Sequence, residues 1–233
     1  MRQYITSDLH FFHKKIALYC DRPYDLNDPD MLSKMNEDLL KHFDKLPDES
    51  DVVVWNLGDV FFGKDLDKVG IDGLKEIVNR MKGKNRKLNL VLGNHDKQIL
   101  RMRRFKAKSL VAFFESIGFD KVYDIPVLVD NEVILSHEPV YLSKGSNYKN
   151  IYGHTHNTTV DSMYFTKDLE NWAMEARAYR KNGLEPPEPK IVWPEKEIDV
   201  SMYYNVCIDY HNKILRLENV KHSIFDREYE GQI

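Results

Sequence analysis

The sequence predicts an α/β fold, and three observations carry that reading. Apolar runs of strand length alternate with segments of helical periodicity through residues 1–117. Short strand candidates separated by turn residues follow Gly118, and polar residues suited to metal or acid–base chemistry recur where the apolar runs stop. The 233 residues, 42% of them hydrophobic, are enough for one substantial core and are read as a single domain, 1–233.

Tyr4 to Leu9 is the first strand candidate. Asp28 is placed to cap a helix and Pro29 to open it; Met31, Leu32, Met35, Leu39, Leu40 and Phe43 recur at helical spacing as far as Leu46, and Pro47 stops the run. Asp51 to Leu57 is β-branched, too short for a helix and apolar enough for a strand buried on both faces. A helix over Leu66 to Met81, a strand over Lys87 to Leu92 and a helix over Lys97 to Ile117 continue the alternation. Beyond Gly118, the segments Tyr123 to Val129, Glu132 to Leu135, Asn150 to Tyr152, Tyr203 to Ile208 and Ile214 to Leu217 read as strands. Turn residues such as Asp130-Asn131 and His211-Asn212 predict that they form hairpins of a largely antiparallel second sheet.

Residues 157–200 interrupt this pattern. Leu169, Trp172, Ala173, Ala176 and Tyr179 mark a helix ended by Gly183, and prolines at 186, 187, 189 and 194 mark an extended arm. This inserted helix and Pro-rich arm either decorates the sheet edge or caps a substrate mouth.

Composition excludes several classes. With 34 Lys+Arg against 37 Asp+Glu, a net charge of -3, the chain is neither a globally basic nucleic-acid binder nor an acidic disordered tail protein. Cys20 and Cys207, far apart in sequence, argue for a reducing compartment and against a disulfide scaffold, and are read as small packed residues. Without a signal-like N-terminus or an 18-residue apolar run, the chain is expected to be soluble and cytoplasmic, with no membrane partner.

The chemistry-bearing residues sit at the C-terminal ends of strand candidates, the edge at which open α/β sheets bind ligands: Asp8 and His10, Asp59, Asn94 with His95 and Asp96, His137, and His154 with His156. Residues two apart, as in Asp8-x-His10 and His154-x-His156, share a side and can grip one ion. Two Asp, one Asn and four His with no Cys are too many donors for one tetrahedral zinc, and their mixed oxygen and nitrogen character suits Mn, Fe, Zn, Ni or Co better than calcium. Two divalent ions sharing the Asp59 carboxylate are the natural arrangement.

Ser7-Asp8-Leu9-His10, Gly58-Asp59, Gly93-Asn94-His95-Asp96, His137 and Gly153-His154-Thr155-His156, in this order over residues 7–156, resemble the five signature blocks of the calcineurin-like metallophosphoesterase superfamily, and the expected antiparallel return with Tyr204-Asn205-Val206 resembles the closing strands of its small bacterial and phage members. The resemblance implies a four-layer α/β/β/α sandwich, two mixed sheets flanked by helices, here carrying the inserted helix and arm. It implies a first metal held by Asp8, His10, Asp59 and His156, and a second by Asp59, Asn94, His137 and His154, with Mn foremost and Fe, Zn, Ni, Co or Mg as alternatives. It also implies that His95 stands over the substrate phosphate, assisting the leaving group while a metal-bridging hydroxide attacks phosphorus. Asp96 either orients His95 or caps the helix that follows, and His13, one turn beyond the metal pair, either meets a phosphate or leaving group or lies on the surface.

The phosphate ester is narrowed by two features. The family's protein-phosphatase branch continues its GD block with an arginine clamp, whereas here Val60-Phe61-Phe62-Gly63-Lys64-Asp65 follows, leaving Lys64 as a flexible point charge. From Arg80 to Lys108 there are eleven Lys or Arg against one acid, Asp96, a balance of +10 within a chain whose total is -3. Lys97, Arg101, Arg104 and Lys108 form one stripe of the expected helix 97–117, which either holds a nucleotide or nucleic acid or is a solvated lysine-rich face. A phosphodiesterase or nucleotidase is therefore favoured over a phosphoprotein phosphatase. A catalytically silent scaffold of the same fold, and a mononuclear hydrolase of other esters, remain the competing classes.

Overall fold

The computed structural model describes residues 1–64, 66–101, 107–143, 145–158, 160, 176, 179–186 and 199–230. Its first sheet contains β1 (Arg2–Thr6), β2 (Val52–Asn56), β3 (Lys87–Val91), β4 (Lys121–Tyr123) and β9 (Leu215–Arg216) in the order β4-β3-β2-β1-β9. The first four are parallel and β9 runs antiparallel to β1. Its second sheet is β5-β6-β7-β8, built from Val127–Val129, Val133–Ser136, Lys149–Tyr152 and Tyr203–Asn205.

Alternation along the strands creates the layers. On β2, Val52 and Val54 face the helices while Val53 and Trp55 face the second sheet. The helix-side core takes Ile16 and Ala17 from α1 (Ile16–Tyr19), Met35, Leu39 and Phe43 from α2 (Met31–Asp44), Leu74, Val78 and Met81 from α3 (Leu66–Lys82), and Phe113 and Phe114 from α4 (Leu110–Ser116). The inter-sheet core joins Ile5, Val53, Trp55 and Val91 to Val133, Leu135 and Ile151, with Leu217 and Val220 of the C-terminal helix (Leu217–Glu230) closing one end. On the outer face of the second sheet, Val160, at the start of the inserted segment, packs with Tyr152, Met202 and Tyr203. The chain is thus a two-sheet α/β sandwich with flanking helices. No helix among the described residues is long and apolar enough to cross a membrane.

Five expectations are corrected. The second sheet is mainly parallel: only β5 and β6 form an antiparallel hairpin, through Asp130 and Asn131 at φ 53° and 58°, whereas β6, β7 and β8 are parallel neighbours. The run 123–129 is two strands in different sheets, because Pro126 removes a backbone donor between them. Likewise 203–208 ends as a strand at Asn205 and turns into a short helix, α5 (Ile208–His211), so β9 returns to the first sheet rather than pairing with β8. The helix expected over 97–117 is a 3₁₀ segment, Asp96–Arg101, and a separate α4 whose N-cap Ser109 accepts from the Ala112 amide; Ser109 offers the backbone a local alternative to a continuous helix. Helix α2 likewise starts after Asp30 rather than at Pro29, with the Asp28 carboxylate accepting from the Asp30 amide. The inserted helix is described only at 160, 176 and 179–181, and prolines 187, 189 and 194 lie outside the described residues.

The basic segment is less free than its arithmetic. Arg80 pairs with Glu37 and Asp44, and Lys82 with Asp120. Arg86, 4% exposed, donates to the carbonyls of Phe43, Leu46, Met81 and Lys82, closing the C-terminal ends of α2 and α3. Arg86→Ala should lower stability by roughly 3 kcal/mol through these orphaned carbonyls, measured by urea unfolding, with a change under about 0.5 kcal/mol contradicting the role.

Candidate metal centre

The C-terminal edges of β1, β2, β3, β6 and β7 converge on one place, and every predicted metal-ligating position lies in the loops that leave them. Five of the seven hold left-handed backbone conformations: Asp8 (φ 59°), His10 (52°), Asp59 (54°), His154 (69°) and His156 (48°). Such conformations cost energy in non-glycine residues and persist where the surroundings over-determine them. Close approach is the other local demand. A Cβ on Gly58 would fall 2.7 Å from the His137 Nδ1, and one on Gly153 would collide with Ser7.

Two groups of donors result, Asp8/His10/His156 and Asp59/His137/His154, each with ligand atoms close enough to share an ion. In the first, Asp8 Oδ1 lies 3.9 Å from His10 Nε2 and 3.8 Å from His156 Nε2. In the second, Asp59 Oδ2 lies 3.4 Å from His137 Nε2, and Asn94 Oδ1 is 2.8 Å from that same nitrogen and 3.1 Å from His154 Nδ1. Asp59 Oδ2 also lies 3.6 Å from His10 Nε2, so this carboxylate stands between the groups.

The donor set fits a metal. Asp8 Oδ1 and both ring nitrogens of His10 are buried and make no hydrogen bond among the described residues, an arrangement costly without a ligand. His137 Nδ1–H donates to the Leu57 carbonyl at 2.7 Å, which leaves Nε2 as the donor atom facing Asp59. Burial opposes charge on His137, but the Asp59 hydrogen bond and the Asp8 charge carry its pKa up to about 9. Burial also opposes charge on His156, yet the hydrogen bonds to Asp209 and Cys20 and the Asp8 charge together overcome it and raise the pKa to about 11. Desolvation lowers His10 to about 3 despite the two neighbouring carboxylates.

The other predicted residues divide. His95 is half-buried beside this group: its backbone amide donates to Asp59 Oδ1 at 2.8 Å, its Nε2 stands 4.0 Å from Asp59 Oδ2, and its ring sits edge-on to Phe62 at 4.4 Å. His13 also packs against Phe62, 4.3 Å between centroids, with His10 5.4 Å away. Asp96 does neither of the things expected of it. Fully buried, it accepts from the amides of Asp59, Val60 and Gly93, tying the loops after β2 and β3 together. Lys64 is an exposed turn residue. The side chain of Arg101 and all of Arg104 lie outside the described residues.

Several residues at the centre were not anticipated. Cys207 Sγ donates to Asp8 Oδ2 at 3.0 Å, and Cys20 joins His156 and Asp209 in a third donor group, so neither cysteine is mere packing. Cys207 and Asp209 follow β8, the same sheet edge that flagged the other positions; Arg22, in an irregular loop, carried no such signal.

Residues 1–204 match the calcineurin-like phosphoesterase family, so the chain belongs to this family of hydrolases acting on phosphate esters. An uncharacterized protein from Methanocaldococcus jannaschii, MJ1445, is 31% identical over 94 residues, which are 40% of this chain and 46% of that protein; the match thus spans about half its length. A crystal structure of a protein of unknown function from Aquifex aeolicus, AQ665, shares the fold at a TM-score of 0.50 and 17% identity, covering 94% of this chain and 97% of that one.

Because the raised pKa values of His137 and His156 leave both protonated at neutral pH in the metal-free protein, an ion must displace those protons. Loading at pH 7 should therefore release about two protons per chain, and affinity should rise with pH through about 9, where His137 titrates, and on toward about 11, where His156 does. Calorimetric titration in buffers of different ionisation enthalpy reads the proton count, and pH-independent affinity without proton release would contradict the assignment.

Proposed function

We propose that this chain is a dinuclear-metal-dependent phosphoester hydrolase with a preference for phosphodiesters or nucleotides. The observation that carries the reading is the Asp59 carboxylate standing between two donor groups, with half-exposed His95 beside it. Asp8, His10, Asp59 and His156 would hold one ion, and Asp59, Asn94, His137 and His154 the other. When bound, such ions supply Lewis-acid charge to the phosphoryl oxygens and acidify water at neutral pH. The nitrogen and oxygen donors suit Mn²⁺ first, with Fe, Zn, Ni, Co or Mg as alternatives.

The chain's own residues do the rest. His95, packed against Phe62 and tied to Asp59 through its amide, places an imidazole beside the bridging carboxylate, where it stabilises the phosphoryl charge and delivers a proton to the departing oxygen. Phe62, itself packed on His13, lies edge-on against this imidazole. A cleft of about 690 Å³ leads away from Asn94 and His137 between Leu100, Val111, Ile125 and Val140. Its apolar walls support an ester with an organic arm, and exposed Lys97 at its edge supports an additional anionic group such as that of a nucleotide. With Arg80, Lys82 and Arg86 engaged internally, the basic segment favours a nucleotide or short nucleic-acid strand over a long polymer.

The test is hydrolysis by the Mn²⁺-loaded protein of bis(p-nitrophenyl) phosphate against p-nitrophenyl phosphate. The diester should be the better substrate, chelation should abolish turnover, and His95→Ala should lower kcat by about 10²- to 10⁴-fold with metal content unchanged. Inactivity with Mn, Fe, Zn, Ni, Co and Mg alike would point to a silent scaffold.

A further inference from the structure

Next to the first donor group lies a buried ion pair whose carboxylate, Asp209, falls beyond the family match, which ends at residue 204. Arg22 Nε and Nη2 meet the two Asp209 oxygens at 2.6 and 3.0 Å, with side chains 7% and 2% exposed. Asp209 Oδ2 also accepts from His156 Nδ1 at 2.8 Å, which leaves the His156 Nε2 turned toward Asp8. The same guanidinium reaches the other way: Nη2 donates to the Asp8 carbonyl and Nη1 to the Leu9 carbonyl, both at 3.0 Å. Those carbonyls belong to the turn that presents Asp8 and His10 with positive φ.

We propose that Arg22 and Asp209 are positioning residues for the first metal, one brace that sets both the Asp8–His10 turn and the ring orientation of His156. The bidentate geometry is what a planar guanidinium and a carboxylate make together, and lysine cannot reproduce it. A carboxylate on the far nitrogen of a ligating histidine fixes its tautomer and raises its basicity toward the ion. The brace joins three parts of the chain: the loop after β1, the loop after β7, and α5. It rests on the reading that His156 is a ligand of that ion.

The variants Asp209→Asn and Arg22→Lys test it. An amide at 209 keeps the shape but must turn its NH₂ toward either the His156 Nδ1–H or the Arg22 fork, so one side of the brace is lost. Calorimetric titration of the apo protein with Mn²⁺ alone should show the first site weakened by about 10- to 100-fold and the second within about 2-fold, with far-UV circular dichroism unchanged. In a His154→Ala background, which disables the second group, Asp209→Asn should still weaken the remaining ion. Adding Asp209→Asn to His156→Ala should cost less at the first site than Asp209→Asn costs alone, because only the part carried through Arg22 to the Asp8–His10 turn remains. If His156→Ala weakens Mn²⁺ binding but Asp209→Asn and Arg22→Lys leave both sites at wild-type affinity, the brace is refuted and the ligand reading stands. Equal weakening of both sites together with a fallen Tm means a purely structural ion pair, which also refutes it. If His156→Ala itself leaves both affinities unchanged, the ligand reading fails first and takes the brace with it.

Discussion

The buried Asp59 carboxylate is the constraint around which the rest of the centre is arranged. An ionised carboxylate taken out of water demands compensation. Here one oxygen accepts the His95 amide, while the other is surrounded by the nitrogens of His10, His95 and His137 at 3.4 to 4.0 Å. Its position is secured from behind, since Asp96 holds the amides of Asp59, Val60 and Gly93 and so fixes the β2 and β3 loops relative to each other. Burial first, and the Asp59 charge second, push Asp96 up to about 7. Asp8, opposite, is held below the usual carboxylate range by the charges of His137, His156 and His10, which overcome the contrary effect of burial. Two buried carboxylates and four histidines so close together call for cations, and the left-handed backbone at five of the candidate ligands is the conformational cost of bringing them together.

The same convergence explains what could be read in advance. Strand edges carry their chemistry into adjacent loops, so the positions of Asp8, His10, Asp59, Asn94, His137, His154 and His156 followed from apolar runs that ended in polar residues. Strand pairing did not follow, because short strands such as Tyr203–Asn205 bear no local mark of whether their neighbour runs with or against them. Asp96 likewise bears no local mark of its role: its partners, Asp59 and Val60, are 37 and 36 residues away, and only tertiary packing brings their amides to it. Arg22 and Asp209, 187 residues apart, meet only in the folded chain.

Charge shows the difference between composition and surface. The excess of basic residues between 80 and 108 is partly structural, with Arg86 terminating two helices and Arg80 and Lys82 engaging acids on neighbouring elements. Among the described residues of this segment, Lys97 lies beside the cleft that opens from Asn94 and His137. The substrate's phosphate would thus be met mainly by the ions, and its organic portion by aliphatic walls.

The most direct measurement of the central claim is anomalous diffraction from crystals soaked in Mn²⁺. The account predicts two peaks about 3.5–4 Å apart with Asp59 between them, one against Asp8, His10 and His156 and the other against Asn94, His137 and His154. A single peak, or two that do not share Asp59, would contradict it.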